Sequence, residues 1–216
     1  AGTRYKPVSY NMSTGAYGFN ATQGATFHAR PNDMSGDGTT LVGYDQVSGR
    51  NAAAWRNGVQ VYFDSGVTGE INCSNTNGTR FFGYRGVNAV VWDSAFTPTT
   101  LALPVGFTLG AAASGSDDGS ITVGYAQVGT NTSTRRATIW INGSVQLMSD
   151  WAANHGLILS GAVPTSGMHV SADGSTIAGW ASTSQRGFIY QSTVPEPASI
   201  GVLGLGVLAL LRRQKR

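Results

Sequence analysis

One short pattern occurs four times in this sequence of 216 residues and limits the folds open to it. Each copy has a polar turn ending in glycine, a short β-prone run, a second glycine and an aromatic residue. The turn pairs are Asp37-Gly38, Asn77-Gly78, Asp118-Gly119 and Asp173-Gly174. The later pairs are Gly43-Tyr44, Gly83-Tyr84, Gly124-Tyr125 and Gly179-Trp180. Successive turn glycines are 40, 41 and 55 residues apart, which indicates a fold of stacked copies of one unit.

Each copy has the chemistry of a β-hairpin unit. Asp-Gly and Asn-Gly favour tight turns with positive φ angles, and short runs such as 121–123 are β-prone. We expect the second glycine to permit a bulge or a close backbone approach. A second apolar run in each copy ends in an aromatic residue that we expect to pack between neighbouring sheets. These aromatic residues are Trp55, Trp92, Trp140 and Tyr190.

The unit length favours a propeller. Four copies in residues 1–194 give about 48 residues each, close to the ~40–50 of a propeller blade. We predict an all-β chain with a small β-propeller-like domain of four or five blades. The fifth blade would come from a degenerate copy of the repeat that lies upstream, at Gly18-Phe19 and 25–27. Joining both chain ends in one blade would remove open sheet edges. An open β-solenoid or a sandwich is the alternative, and 147–159 is expected to hold a short helix.

The charge distribution argues against a nucleic-acid-binding protein. The formal net charge is +3, but four of the 14 basic residues lie in the last five positions. These are Arg212, Arg213, Lys215 and Arg216. Residues 1–194 hold ten basic and ten acidic residues without a basic stripe, whereas phosphate binding needs clustered cations.

The C-terminal segment has three parts in a fixed order. Pro195, Glu196 and Pro197 precede an uncharged apolar run, 198–211, and the four basic residues follow it. Fourteen residues make a helix of about 21 Å, shorter than the ~20 residues usual for a span. The run is apolar on all sides and ends in basic residues, which stay on the cytoplasmic side of a membrane. We therefore predict a short transmembrane helix with a basic stop, a buried core helix being the alternative. This divides the chain into an exported β-repeat domain, 1–193, and a tail, 194–216.

This tail resembles the PEP-CTERM sorting signal of Gram-negative bacteria. The resemblance implies that Pro195, Glu196 and Pro197 are recognised by exosortase, a membrane protease-transpeptidase, and that the helix is a transient inner-membrane anchor. The domain would then reach the cell surface or be secreted, and we expect a signal peptide to have been removed or the sequence to be a fragment.

The repeats also resemble those of extracellular bacterial proteins with HAF-type repeats. In that family a Ser-x-Asp-Gly-Ser-x-x-Val-Gly-Tyr strand precedes an Ala-Phe-x-Trp strand, although no His-Ala-Phe occurs here. The PEP-CTERM resemblance also implies a context of exopolysaccharide and biofilm production.

Residues with catalytic or metal-binding chemistry are scattered. His28, His155 and His169 are isolated, and neither a zinc motif nor a nucleophile elbow occurs. Cys73 shares a repeat position with His169, and we expect both to be packing residues. Each repeat turn offers one or two carboxylates, including Asp117 in the third copy, whereas Ca²⁺ takes ~6–8 oxygens. We therefore expect the aspartates to cap their own turns through hydrogen bonds. Calcium binding is the alternative.

Two functions are open at this point. We predict a non-enzymatic exported cell-surface or matrix protein that holds no metal or cofactor, with exosortase and exopolysaccharide as partners. The alternative is an extracellular lectin or hydrolase that uses a central pocket of the propeller. Repeat turns that face solvent would favour the first, and converging carboxylates or a polar pocket would favour the second.

Overall fold

The computed structural model describes residues 6–20, 22, 28–47, 49–157, 161–182 and 186–191. The predicted tail, 194–216, lies outside these residues, with its sorting residues Pro195, Glu196 and Pro197 and its four basic positions, and so do 25–27 of the upstream copy. No helix in the described part of the chain is long and apolar enough to cross a membrane.

The described chain forms four successive antiparallel sheets preceded by a hairpin, each running through its strands in chain order. The hairpin consists of β1 (Val8–Tyr10) and β2 (Tyr17–Phe19). Sheet 1 consists of β3 (Ala29–Met34), β4 (Thr40–Gln46), β5 (Arg50–Arg56) and β6 (Val59–Phe63). Sheet 2 consists of β7 (Gly69–Ser74), β8 (Phe81–Arg85), β9 (Asn88–Trp92) and β10 (Pro98–Thr100). Sheet 3 consists of β11 (Leu109–Gly115), β12 (Ile121–Val128), β13 (Asn131–Ile141) and β14 (Ser144–Leu147). The helix α1 (Met148–Asn154) leads to sheet 4, which consists of β15 (Pro164–Val170), β16 (Thr176–Ala181) and β17 (Arg186–Gln191). The all-β class and the short helix within 147–159 are therefore confirmed.

Most of the core lies between successive sheets, and three of the four aromatic residues at the ends of the repeats are buried. Trp55, Trp92 and Trp140 are at most 1% exposed, and burial of a large apolar side chain contributes roughly 1.5–3 kcal/mol. The indole N–H of Trp92 donates to the Tyr62 hydroxyl at 3.1 Å, which ties sheet 2 to sheet 1. Tyr190, the fourth of these aromatics, packs edge-on against Trp151 of α1 with ring centres 4.4 Å apart. Trp92 therefore packs between neighbouring sheets as predicted, whereas Trp55 clusters with residues of its own sheet and Tyr190 packs on α1.

The second repeat glycine lies where two backbones approach most closely. A Cβ atom added at Gly83 would overlap the Glu70 carbonyl oxygen of the neighbouring strand. Gly43, Gly124 and Gly179 would likewise meet the carbonyl oxygens of their neighbouring strands. In all four sheets the first strand shifts register next to this glycine, so the predicted bulge and close approach are both confirmed.

The repeat turns differ from two-residue hairpin turns. Of the central pair only the glycine has a positive φ, 74° at Gly38 and 64° at Gly78. The Gly38 N–H donates to the Ser35 carbonyl at 2.8 Å, which closes a four-residue turn. Two-residue turns with both φ angles positive occur instead at Asn57-Gly58 and Asn142-Gly143, which join the third and fourth strands of sheets 1 and 3.

The two ends of the described chain differ from the prediction that they join in one blade and close the ring. Among the described residues, β1 and β2 pair only with each other, and they share a cavity with Leu41 and Trp55 of sheet 1. Sheet 4 has three strands, and its Ile189 is 78% exposed whereas the repeat-equivalent Ala54 is fully buried. The described strands thus do not join the two ends in one blade, because the first hairpin lies against sheet 1.

Candidate functional site

The first strands of the four sheets surround a cavity of about 540 Å³, here called the central cavity. A bulge in each of β3, β7, β11 and β15 leaves one residue without a cross-strand partner. These bulge residues, Asn32, Asn72, Ala113 and Met168, all line the cavity. The two asparagines also link neighbouring sheets, since Asn32 donates to the Ile71 carbonyl at 2.8 Å and Asn72 to the Ala112 carbonyl at 2.7 Å. The repeated bulge therefore aims one side chain per sheet at a common centre.

A second ring of lining residues lies two positions earlier on the same strands. Each of these residues faces the aromatic residue that follows the second repeat glycine. The pairs are Arg30 with Tyr44, Glu70 with Tyr84, Ala111 with Tyr125, and Ser166 with Trp180. The backbone positions are equivalent, but the side chains differ in charge from sheet to sheet.

Glu70 is the carboxylate of the central cavity, and its oxygens are fully engaged. Its Oε1 accepts hydrogen bonds from Arg30 at 2.9 Å and Asn32 at 2.7 Å, and its Oε2 accepts from Arg50 at 3.0 Å. The Glu70 side chain is 6% exposed, while those of Arg30 and Arg50 are 56% and 49% exposed. The charge of Glu70 is the main reason that the pKa of Arg50 is raised. Both arginines lie on sheet 1 and Glu70 lies on sheet 2, so this cluster links the two sheets. Loss of both cations would leave a buried charge unpaired, which is strongly destabilising.

Arg135 lies in the same cavity without such a partner. Its guanidinium carbon is 3.8 Å from the centre of the Tyr125 ring, and its Nε donates to Gln127 at 3.0 Å. Within the described residues no carboxylate pairs with it and its two terminal nitrogens form no hydrogen bond. Stacking on a tyrosine face fixes the guanidinium plane while its edge stays free to donate.

The tyrosines complete the lining with aromatic faces. Tyr84 and Tyr125 line the cavity, and burial raises the pKa of the Tyr84 phenol, with the charge of Glu70 the next cause. Tyr44 lies under both Arg30 and Arg50, whose guanidinium carbons are 5.1 and 4.9 Å from its ring centre. In the described part of the chain the cavity thus combines three arginines, one carboxylate and neutral aromatic rings.

The repeat turns lie away from Arg30, Glu70 and Arg50. Arg30 is near the start of β3, whereas the turn with Asp37 and Gly38 follows the end of that strand. Asp118 accepts hydrogen bonds from the Ser116 hydroxyl at 2.6 Å and the Ser120 N–H at 2.9 Å, which lower its pKa to about 2. Bonds of the same kind, from Ser171 and Ser175, lower the pKa of Asp173 to about 2.

The other turn residues also bond within or between turns. The pKa of Asp37 is lowered, mainly by the Ser35 hydroxyl. In the second copy Asn77 accepts from the Thr79 hydroxyl at 2.6 Å, and Gly78, Gly119 and Gly174 have positive φ angles. Asp117 accepts from the Thr76 N–H at 2.8 Å, which joins two successive turns. These oxygens cap turns and do not converge on one point.

Histidine and cysteine side chains are not grouped into a metal site in the described part of the chain, where no three His, Cys, Asp or Glu residues come together. His155 packs against Trp151, and exposed His169 lines the central cavity. Cys73 is buried with its Sγ 3.7 Å from the Ser114 hydroxyl, and burial raises its pKa to about 12.

The lining residues of the central cavity were missed by the sequence argument, which began each repeat at its turn. Asn32 and Asn72 both lie three positions before the first residue of their turns, and Arg30 and Glu70 lie five positions before it. A comparison of the repeats that starts five residues further upstream shows that Arg30 and Glu70 occupy equivalent positions, and so do Asn32 and Asn72.

Comparison with known proteins supports two predictions, the sorting tail and the β-propeller-like fold. Residues 193–216 match the PEP-CTERM protein-sorting motif, which supports an exported, exosortase-sorted surface protein. No curated protein matches the sequence.

Three solved structures are similar to this chain. A protein assigned as TolB from Agrobacterium tumefaciens is 14% identical, with a TM-score of 0.51 over 84% of this chain and 63% of its own. The computationally designed Ika4 protein is 12% identical, with a TM-score of 0.46 over 80% of this chain and 96% of its own. The periplasmic gluconolactonase PpgL of Pseudomonas aeruginosa is 16% identical, with a TM-score of 0.42 over 83% and 56%. The chain thus spans less than two thirds of the length of the TolB protein. The predicted β-propeller-like fold is confirmed, whereas assignment of the repeats to the HAF type stays a prediction.

Proposed function

We propose that this is a non-enzymatic protein of the cell surface or extracellular matrix that binds exopolysaccharide in its central cavity. The sorting motif at 193–216 supports export with a C-terminal anchor, followed by display or secretion. Exosortase is the processing partner in this proposal, and Pro195, Glu196 and Pro197 are the residues it recognises.

The composition of the central cavity is the observation that carries the binding role. A glycoside hydrolase generally uses two carboxyl groups about 5–9.5 Å apart, one of which must exchange a proton. Glu70 is the carboxylate that lines this cavity, and cations and an amide occupy both of its oxygens. This arrangement favours a binding site over the hydrolase alternative.

The size and lining of the cavity suit a carbohydrate segment. Its volume of about 540 Å³ is within the ~300–1,000 Å³ of ligand pockets. Arginine edges can donate to sugar oxygens, and the rings of Tyr84 and Tyr125 give the cavity apolar surface. Donors around aromatic surface are the usual means by which a pocket orients a polar ligand.

The sorting role is tested in an exosortase-bearing host that expresses the chain behind a signal peptide. Replacement of Pro195, Glu196 and Pro197 by alanine should keep the protein in the membrane fraction unprocessed. A control with Gln191→Ala and Ser192→Ala changes residues just outside the matched motif and should be processed normally. Identical processing of both variants would contradict the sorting role.

The binding role is tested with the purified full chain in detergent micelles. We expect a panel of bacterial exopolysaccharides to include one that gives saturable heat in titration calorimetry, with no release of reducing sugar on prolonged incubation. Measurable hydrolysis would instead support the enzymatic alternative, and absence of binding across the panel would refute the polysaccharide role.

A further inference from the structure

The central cavity carries a local positive charge, although the formal net charge of the domain as a whole is zero. Among the described residues its lining includes Arg30, Arg50 and Arg135 but a single carboxylate, Glu70, which gives a formal charge of +2. Residues 1–194 as a whole have equal numbers of acidic and basic side chains. An uneven distribution of this kind raises the local concentration of anions at a concave surface.

Arg135 is the cation in this group that is free to accept a ligand. Arg30 and Arg50 each donate to Glu70, whereas Arg135 forms no ion pair within the described residues. Its Nε is held by Gln127 and its plane lies over Tyr125, so the orientation of its terminal nitrogens is fixed before any ligand arrives. Preorganisation of this kind reduces the entropy lost on binding.

The chemistry of the guanidinium edge indicates which ligand group fits. A guanidinium presents parallel N–H donors that match the two oxygens of a carboxylate. The same cavity already shows recognition of a carboxylate by arginine and asparagine donors, at Glu70. A neutral sugar would desolvate Arg135 without supplying a charge to pair with it, which is unfavourable.

We propose that the central cavity binds the carboxylate groups of an acidic polysaccharide through the terminal nitrogens of Arg135, with Arg30 and Arg50 extending the basic surface. This inference rests on the proposed function and narrows the ligand from any exopolysaccharide to a uronate-containing one. The sugar ring next to the carboxylate lies against the tyrosine-lined wall.

The experiment compares an oligogalacturonate with a neutral oligosaccharide of the same length by titration calorimetry, using the full chain in detergent micelles at low salt. We expect the acidic oligosaccharide to bind at least tenfold more tightly, and Arg135→Gln to remove at least about tenfold of that affinity, the scale of one hydrogen bond to a charged group. The matched control is Arg136→Gln, which removes the same charge from the adjacent residue, whose guanidinium donates to backbone carbonyls. It should bind as the unaltered chain does.

Two further arms separate charge from geometry. Arg135→Lys keeps the charge and a similar apolar stem but lacks the parallel donors, so it should bind more weakly than arginine and more tightly than Arg135→Gln. A sulfated polymer of neutral sugars supplies anions without carboxylates and should bind more weakly than the oligogalacturonate. Equal binding of the sulfated polymer would overturn the carboxylate assignment.

The outcomes distinguish this inference from the function on which it rests. Equal binding of acidic and neutral oligosaccharides, unchanged by Arg135→Gln, would overturn the inference and leave polysaccharide binding in place. Failure of both oligosaccharides, together with failure of the whole exopolysaccharide panel, would overturn both. Circular dichroism of each variant establishes that a lost affinity does not come from lost structure.

Discussion

Gly83→Ala should destabilise the fold and disturb the central cavity at the same time. The added methyl carbon would overlap the Glu70 carbonyl oxygen and lie 3.0 Å from the Ile71 Cα, closer than the ~3.5–4.0 Å of favourable contacts between carbon atoms. Both neighbours are backbone atoms, so β7 and β8 must separate locally. Overpacking of this kind costs about 1–3 kcal/mol, and weakening of one adjacent strand hydrogen bond costs about 0.5–1.5 kcal/mol.

The lower conformational entropy of the unfolded alanine chain offsets about 0.4–1 kcal/mol of that cost. With the middle of each range, the net loss is about 2 kcal/mol, and at ~2–4 °C per kcal/mol for a chain of this size the Tm should fall by about 4–8 °C. Differential scanning calorimetry measures this fall. Gly18→Ala is the matched control, because an added Cβ there has no neighbour within 4 Å, and its Tm should stay unchanged or rise by up to about 4 °C. Equal Tm values for both variants would refute the steric account of the repeat glycine.

Three other predictions concern the turns, the buried thiol and the core. The turn bonds that lower the pKa of Asp118 and Asp173 to about 2 stabilise the fold fully above about pH 4 and are lost as the pH falls toward 2. Urea midpoints from pH 5 to 2 should therefore fall less steeply in the Asp118→Asn/Asp173→Asn variant, and an unchanged slope would contradict the turn assignment. Cys73 is buried, and its pKa is raised to about 12. Its thiol should therefore resist iodoacetamide at pH 8 in the native state and react in urea. Rapid alkylation of the native protein would show instead that the thiol is accessible. Trp140→Phe removes the indole donor to the Ala102 carbonyl at 2.6 Å and should lower the free energy of unfolding in urea by about 1–3 kcal/mol; no change would mean that the bond contributes nothing.

The sequence predicts the repeated local structure well because that structure depends on local chemistry. A glycine is needed at position 83 because a backbone carbonyl occupies the place of its Cβ, and this requirement recurs wherever the same bulge recurs. The residue at the end of each repeat is likewise aromatic in every copy, and in three copies it is a tryptophan that its neighbours cover almost completely. Because of such requirements the same residue type recurs at the same position of each repeat, and a comparison of the copies detects it.

The repeat turns differ from the tight turns with positive φ angles that we expected, and the sequence contains the reason. A two-residue turn would give both central residues a positive φ, as at Asn57-Gly58. In three of the four repeat turns a serine two positions before the aspartate donates its hydroxyl to the carboxylate, as Ser116 does to Asp118 at 2.6 Å. The carboxylate also accepts the Ser120 N–H, and this network stabilises a longer turn in which only the glycine has a positive φ. The Ser-x-Asp-Gly-Ser spacing therefore specifies a capped turn.

Closure of the ring could not be predicted in the same way, because it depends on contacts between distant segments. The residues of β1 and β2 are β-prone in any arrangement, and nothing local decides whether they pair with sheet 4 or with each other. The structure pairs Val8 with Phe19 and Tyr10 with Tyr17 in a separate hairpin.

The central cavity escapes a search for repeats because its residues differ between copies. Four equivalent backbone positions surround one centre, and they hold Arg30, Glu70, Ala111 and Ser166. Four identical charges there would repel one another, whereas Arg30 and Glu70 on neighbouring sheets attract each other at 2.9 Å. The lining is completed by Arg135, which comes from the third strand of its sheet and keeps a free edge. In a repeat fold the recurring residues therefore specify the backbone, and the residues that break the repeat around the common centre are where a ligand site should be sought.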